Sequence, residues 1–456
     1  MKKTKTLRDS FGEVEVPANK YWGIQTQRSK QNFTINNEKM PHALIEAFAL
    51  IKKSCALANL QAKKLDSKRA NLISKVCDEI LTSKLDGNFP LSVWQTGSGT
   101  QTNMNVNEVV SNRAMQIDKT INIHPNDHVN MSQSSNDTFP SAIHIMGIML
   151  TKQKLLPSLE NLIKSFNALT KSFGNIVKVG RTHLQDATPI KLSQEFSAYV
   201  AMLKTSKKMI SEAINYLYEL PIGGTAVGTG INAPKNFDKL VCINLKKITK
   251  LPFTPVNNKF AGLSSKDRVS FFHSALKVLA ENLFKIANDI RWLSSGPNCG
   301  IGEIYIPQNE QGSSIMPGKV NPTQCESMMM LCIQVIANNM AITIGNTQGN
   351  FQLNTFMPLI AYNLNQSMNL LADGMDSFSK KCVVGITPNN KRIKTNLDHN
   401  LMLATSLNTK IGYDKAAIIV KLAVKEGISL KEATIKSGYL SEKEFDKIVN
   451  PKKMVL

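Results

Sequence analysis

Aromatic residues are scarce in this 456-residue chain, at 6% of positions, and so is arginine, which supplies only eight of the 55 basic side chains. Both shortages bear on how the charge is read. A formal net charge of +21, from 55 Lys and Arg against 34 Asp and Glu, would suit a polyanion such as nucleic acid. Nucleic-acid surfaces draw on arginine forks and stacking aromatics, whereas the 47 lysines here are scattered over polar helical faces. The expectation is a solvated, lysine-rich surface with no nucleic-acid partner, whose field would still draw small anions toward a cleft. Cysteine patterning is missing too. Cys55, Cys77, Cys242, Cys299, Cys325, Cys332 and Cys382 are odd in number, with no Cys-x-x-Cys pair and no Cys/His cluster, which argues against a disulfide framework or a zinc site. Repeats of roughly 20–50 residues are absent, which excludes a solenoid. Ordinary glycine and proline contents, 25 and 18, with 42% apolar residues, exclude collagen-like and disordered chains. No uninterrupted apolar run is long enough to span a bilayer, and Met1–Asp9 is basic with no apolar segment behind it. The sequence thus predicts a soluble, cytoplasmic protein with no membrane partner.

What the chain has in abundance is helical period. Leu276, Leu279, Ala280, Leu283, Ala287 and Ile290 recur at the three- and four-residue steps that put side chains on one stripe of a helix. Met328, Leu331, Cys332, Val335 and Ile336 repeat the pattern, as do Leu364, Met368, Leu371, Met375 and Phe378. Stretches 155–172 and 192–218 add two candidates, and helices of that length bury their stripes against one another in a bundle. A polar, Asn- and Gly-rich region from 86 to 137 precedes them. Behind them, Ser429-Leu430-Lys431-Glu432 and Ser441-Glu442-Lys443-Glu444 read as capping boxes opening two short helices, with Gly427 and Gly438 as stops upstream. The sequence predicts an all-α chain in three parts, 1–135, 136–390 and 391–456, with the bundle in the middle part.

Four polar clusters stand apart from the stripes, each setting Ser, Thr, Asn or His beside Gly or Pro, where amides and hydroxyls can face a ligand. The first is Gly97-Ser98-Gly99-Thr100-Gln101-Thr102-Asn103, whose glycines a tight turn would explain equally well. The second, Ser132-Gln133-Ser134-Ser135-Asn136-Asp137, also reads as a helix start with Ser135 or Asn136 at the N-cap. The third, Gly180-Arg181-Thr182-His183-Leu184-Gln185-Asp186, sets a histidine able to move a proton near neutral pH beside a threonine donor, although a lone histidine is commonly structural. The fourth runs from Gly312 to Glu326 and ends in a helix start, with Asn321 at the N-cap and Pro322 at the first helical position. Helix amides, Lys319 and a Gly-Ser-Ser loop are the parts for holding a carboxylate while a serine works on the adjoining carbon. The plain alternative is a capped helix beside a solvated lysine.

Gly312-Ser313-Ser314-Ile315-Met316-Pro317-Gly318-Lys319-Val320-Asn321-Pro322 resembles the signature of the fumarase/aspartase superfamily. The likeness continues through Asp9–Phe33, Thr96–Arg113, Ser132–Pro140, Gly180–Glu195, Gly223–Asn232 and Gly412–Lys415, all similar to class II fumarases. His183 separates these from aspartase-like members, which carry Gln in that segment, and Thr323-Gln324-Cys325-Glu326 points the same way. A class II fumarase is the first reading and aspartate ammonia-lyase the second. A catalytically silent binding protein is a third, opposed by the intact Ser313, Lys319, Asn321 and His183.

The resemblance implies a three-domain helical chain whose central helices form a twenty-helix core in a homotetramer, each active site being shared among three subunits. It implies fumarate and L-malate as substrate and product, in the tricarboxylic acid cycle, with no cofactor and no metal. Ser313 would take the carbon proton and Ser314 would help bind through the loop, while Lys319, Val320 and Asn321 would hold the carboxylate on which charge accumulates. Ser98, Gly99, Thr100, Ser134, Ser135, Asn136 and Thr182 would grip the substrate. His183, polarised by Glu326, would act on the hydroxyl through a water. His124, Pro125, Asn126 and Asp127 match the family's second anion site. Ile121 stands there in place of a common arginine, with His128 and Met131 in place of the commoner Asp and Lys, so that site is expected in weakened form.

Overall fold

The computed structural model describes residues 4–455. Helices dominate it. Strands β1 (Thr4–Asp9) and β2 (Gly12–Pro17) form an antiparallel ribbon, followed by helices α1 (Ile24–Asn32), α2 (His42–Gln61), α3 (Ser67–Leu81), α4 (Thr100–Ile117) and α5 (Ser135–Leu150). Next come α6 (Leu156–Phe173), an antiparallel hairpin of β3 (Val177–Thr182) and β4 (Gln185–Lys191), and α7 (Leu192–Ala213). The chain continues through α8 (Phe237–Thr249), α9 (Lys259–Ser264), α10 (Asp267–Leu293), α11 (Thr323–Thr347) and α12 (Met357–Lys381), then short helices to Ile448. The other strands are two-residue pairs. The all-α class and the five long helices follow the predicted periods: Leu276, Leu279, Leu283 and Ile290 of α10 are buried, as are Leu364, Met368, Leu371 and Met375 of α12.

Two compact units emerge, each built from separated stretches: Met1–Pro157, Ser206–Ala280 and Ile333–Ala372 in the first, Ser158–Thr205, Glu281–Cys332 and Asp373–Leu456 in the second. In the first, α2 packs on α3, α5 and α8, with Phe48 edge-on to Phe139 at 5.6 Å between centroids. Helix α1 has no side-chain cap of its own. Glu108 of α4 does that work, its carboxylate accepting from the backbone of Gly23, Gln25 and Thr26 at 2.9, 2.8 and 3.2 Å and from the Thr26 hydroxyl at 2.6 Å. A buried carboxylate thereby satisfies orphan donors and opposes the positive helix end.

In the second unit, Phe166, Phe173, Phe196 and Tyr199 form an aromatic core between α6 and α7. Its C-terminal stretch closes over Leu403, Leu407, Ile419 and Phe445. Both predicted capping boxes are present there, at Ser429 with Glu432 and at Ser441 with Glu444, and Gly427 ends the preceding helix with φ 64°.

Helix α11 departs from the expectation of no membrane-length apolar segment. It is long and apolar enough, by length and composition, to cross a bilayer, although Gln334, Asn338 and Asn339 interrupt its apolar run. Those amides are engaged within the protein. Asn338 donates to Gln366 and Ser367 at 2.9 and 3.0 Å, and Asn339 pairs with His273 at 3.0 Å. On the other side, Met330, Ile333, Met340 and Ile344 are 55 to 65% exposed and recur at heptad-like steps.

Candidate active site

The first two clusters meet in the first unit. Gly99 takes a left-handed conformation, φ 69°, as the N-cap of α4, and a side chain there would stand 2.0 Å from the Phe139 ring. At Gly97 it would stand 1.5 Å from the Thr355 carbonyl oxygen. Glycine is therefore required at both places, and the tight turn and the ligand surface are one structure. Thr100 opens α4 and Ser135 opens α5, and their hydroxyls lie 2.7 Å apart. The Ser98 hydroxyl is 2.8 Å from that of Thr100, so one chain of hydroxyls spans two helix N-termini. Two positive dipole ends with rotatable O–H donors are the parts that can hold an anion.

The cap of α5 is Ser134 and not the predicted Ser135 or Asn136, because Asp137 reaches back to the Ser134 amide at 2.9 Å in a capping box. Asn136 donates from its side chain to the Ala226 carbonyl at 2.8 Å. Asp137 also accepts from the amides of Gly223 and Thr225, each at 2.9 Å, and burial pushes its carboxyl up despite these bonds. A cavity of about 500 Å³ adjoins the cluster, its wall including Asn126, Asp127, Asn130, Ser132, Ser134 and Thr225. Asn126 and Asp127, two of the four residues expected at a second anion site, line this cavity. The His124 ring instead turns onto its own chain, accepting from the Asn126 and Asp127 amides at 3.3 and 3.2 Å beside Pro125.

The other two clusters belong to the second unit. His183 and Leu184, with φ 57° and 59°, form the two-residue tip of the β3–β4 hairpin, between paired Thr182 and Gln185. Two left-handed residues are what a type I′ turn needs, and having no glycine to supply them stores strain at the histidine. The hairpin is anchored behind the tip. Arg181 grips buried Glu303 through two bonds of 2.9 Å, and buried Lys178 sits 3.0 Å from the same carboxylate. Burial alone would raise the Glu303 carboxyl, but these two cations hold it below its ordinary value. His183 lies exposed at the rim of a cavity of about 470 Å³ that Tyr199, Asp289 and Trp292 also line.

In the 312–322 loop, Ser313 Oγ accepts from the amides of Ile315 and Met316 at 3.2 and 3.0 Å. The Gly312 amide donates to the Lys319 carbonyl at 3.2 Å, and Gly318 turns the chain with φ 78°. Helix α11 begins at Thr323, with Pro322 O accepting its first bond from Glu326 N at 3.1 Å. Asn321 is therefore not the cap the sequence predicted. Its side-chain amide donates to the Gly312 carbonyl at 2.6 Å, closing the loop that carries Ser313, Ser314, Lys319 and Val320. Glu326 is exposed in the first turn of α11, and among the described residues no hydrogen bond or ion pair joins it to His183. Nor do three His, Cys, Asp or Glu side chains converge among those residues as metal ligands would.

A lyase family model matches residues 12–337, and a model of the fumarase C C-terminus matches 403–455. A class II fumarate hydratase of Bacillus subtilis is 55% identical over 452 residues, 98% of each chain, and one of Campylobacter jejuni is equally similar, at 55% over 452 residues. The chain belongs to the class II fumarate hydratase family. The crystal structure of class II fumarase from Schistosoma mansoni superposes with a TM-score of 0.97 at 41% identity, covering 99% of both chains.

In this member of the class II fumarate hydratase family, two buried charged residues beside the first two clusters were not singled out from the sequence. Asp137 was visible only as part of a polar run. Lys52 interrupts the buried stripe of Ile45, Phe48, Cys55 and Asn59 on α2, and a lysine on a core face was the available signal.

Proposed function

We propose that the protein is a cytoplasmic fumarate hydratase of the tricarboxylic acid cycle, interconverting fumarate and L-malate by trans addition and loss of water. The observation that carries this reading is the Thr100–Ser135 hydroxyl contact, which brings two helix N-termini together where they could hold a carboxylate. Its cluster, with Ser98, Ser134 and Asn136, would grip the dicarboxylate, and Thr182 would add a hydroxyl from the hairpin.

In the dehydration direction Ser313 Oγ takes the proton from the carbon beside a carboxylate, and the C–H electron pair moves into that carboxylate as an aci-carboxylate. Two backbone N–H donors on Ser313 Oγ favour its ionised form, which is how a serine becomes a base. Lys319 and Asn321 face the added negative charge. The electron pair then returns to form the double bond, the carbon–oxygen bond breaks, and the hydroxyl leaves as water with a proton relayed from His183 through a bound water. Glu326 would polarise His183 from a neighbouring subunit.

One feature supports a homotetramer: α11 carries an exposed apolar stripe at heptad-like spacing. The 500 Å³ cavity with Asn126 and Asp127 would be the second anion site, weak because Ile121 stands in place of an arginine and His128 and Met131 replace the commoner Asp and Lys. Aspartate ammonia-lyase is the less favoured reading, given His183 and the fumarate hydratase relatives. The test is the absorbance of the fumarate double bond after adding L-malate, and separately L-aspartate. Growth with malate alone is expected; faster product from aspartate would reverse the assignment.

A further inference from the structure

Lys52 lies fully buried on α2 behind the hydroxyl cluster, and its ammonium donates to three side-chain amide oxygens: Asn103 Oδ1 at 2.7 Å, Asn130 Oδ1 at 2.9 Å and Gln133 Oε1 at 2.9 Å. Among the described residues no carboxylate bonds to it. Two of the acceptors adjoin the proposed site. Asn103 sits one turn after Thr100 on α4, and Gln133 immediately precedes Ser134. The three amides are also bonded onward: Asn103 donates to Asn130 Oδ1 at 3.1 Å, Asn130 to the Gln133 carbonyl at 3.3 Å, and Gln133 to the Val129 and Met131 carbonyls at 3.1 and 3.0 Å. One ammonium therefore fixes which way all three amides face, and through them the spacing of the Ser98–Thr100 turn from the Ser134–Asn136 turn.

We infer that Lys52 is a positioning residue for the dicarboxylate site, its three hydrogen bonds holding the α4 and α5 N-termini in the register at which both grip one substrate. The assignment rests on the fumarate hydratase reading above. Burial lowers the Lys52 pKa to about 8. The titratable groups that act on it are Cys55 on its own helix, Cys77 on α3 and Asp137 on α5, and Cys242 on α8 acts in turn on Cys55; α4 presents Asn103. Burial raises the pKa of all three thiols, so they are neutral where Lys52 titrates. When Lys52 loses its proton, two N–H donors remain for three carbonyls, and one amide is free to turn.

The experiment is steady-state malate dehydration by the full-length protein from about pH 6.5 to 9.5, for wild type, Lys52→Met and Lys52→Arg, with thermal melting of each. Wild type is expected to show KM rising with pH about a midpoint near 8. Lys52→Met should raise KM about tenfold or more, lower kcat less and lose that pH dependence, and Lys52→Arg should recover part of the affinity with a flat profile. A Lys52→Met protein with wild-type KM overturns the assignment. If that variant does not fold, the wild-type profile decides, and a KM independent of pH between about 7 and 9 overturns it equally. A wild type that turns over no malate is a different result: it removes the functional reading itself, and this assignment with it.

Discussion

Ser313 and His183 occupy different kinds of backbone, one in a loop that feeds two amides to its hydroxyl, the other at a strained hairpin tip. Their losses should differ in kind. Ser313→Ala should abolish both turnover and exchange of the carbon-bound hydrogen of malate with solvent, whereas His183→Asn should lower turnover by roughly 10²–10⁴-fold and spare part of the exchange. Deuterium incorporation followed by NMR beside the rate assay separates the two; near-normal exchange in Ser313→Ala would assign the base elsewhere. A second expectation concerns Gly99. Alanine there must adopt φ 69° and displace Phe139, so Gly99→Ala should cost at least about 2 kcal/mol and raise KM, read from a lower melting temperature and weaker malate saturation. At this scale the Ser313 loop was legible because its residues form an uninterrupted motif. The roles of Asn321 and Ser134 were not, since which side chain caps a helix depends on competing partners, the Gly312 carbonyl for one and Asp137 for the other.

Among the elements, α11 is the most exposed to test. Met330, Ile333, Met340 and Ile344 face outward from a single chain, so replacing them should do little to its folding, while a helix buried between copies could not tolerate charge there. If this stripe lies between subunits as proposed, Ile333→Lys with Met340→Lys is expected to give a folded protein of lower mass by light scattering and lower activity; an unchanged mass and rate would exclude the stripe from any interface. The long helices were legible because their apolar stripes run for many turns. The β3–β4 hairpin was not: Asn-Gly or Asp-Gly would have announced a type I′ turn, and His183-Leu184 does not. Nor did the sequence show that Arg181 and Lys178 would meet Glu303, more than a hundred residues away.

Across the whole molecule, stability should fall on the acid side for a definable reason. His144, bonded to the Glu219 carbonyl at 2.9 Å, and His273, bonded to Ser367 at 2.8 Å, are buried, and burial lowers both to about 3. The unfolded chain binds their protons near pH 6.5, so their contribution is complete above that pH and is lost as pH falls toward 3, at about 1.4 kcal/mol per pH unit for each. Asp137 and Glu108, raised by burial, lean the opposite way. Denaturant midpoints at about pH 7 and pH 5 should differ accordingly, and His273→Asn should reduce the difference. The grouping of separated stretches into two units was not legible, because the stripes show that helices pack but not which ones. That interleaving has a consequence for synthesis. Asp137 emerges with its serines, yet Gly223 and Thr225, which complete its bonds, lie 86 and 88 residues further along. At ribosomal speed the carboxylate waits roughly 4 to 18 s for them, so during synthesis the Ser134 capping box must form before two of the three amides that hold Asp137 in the finished fold have been made.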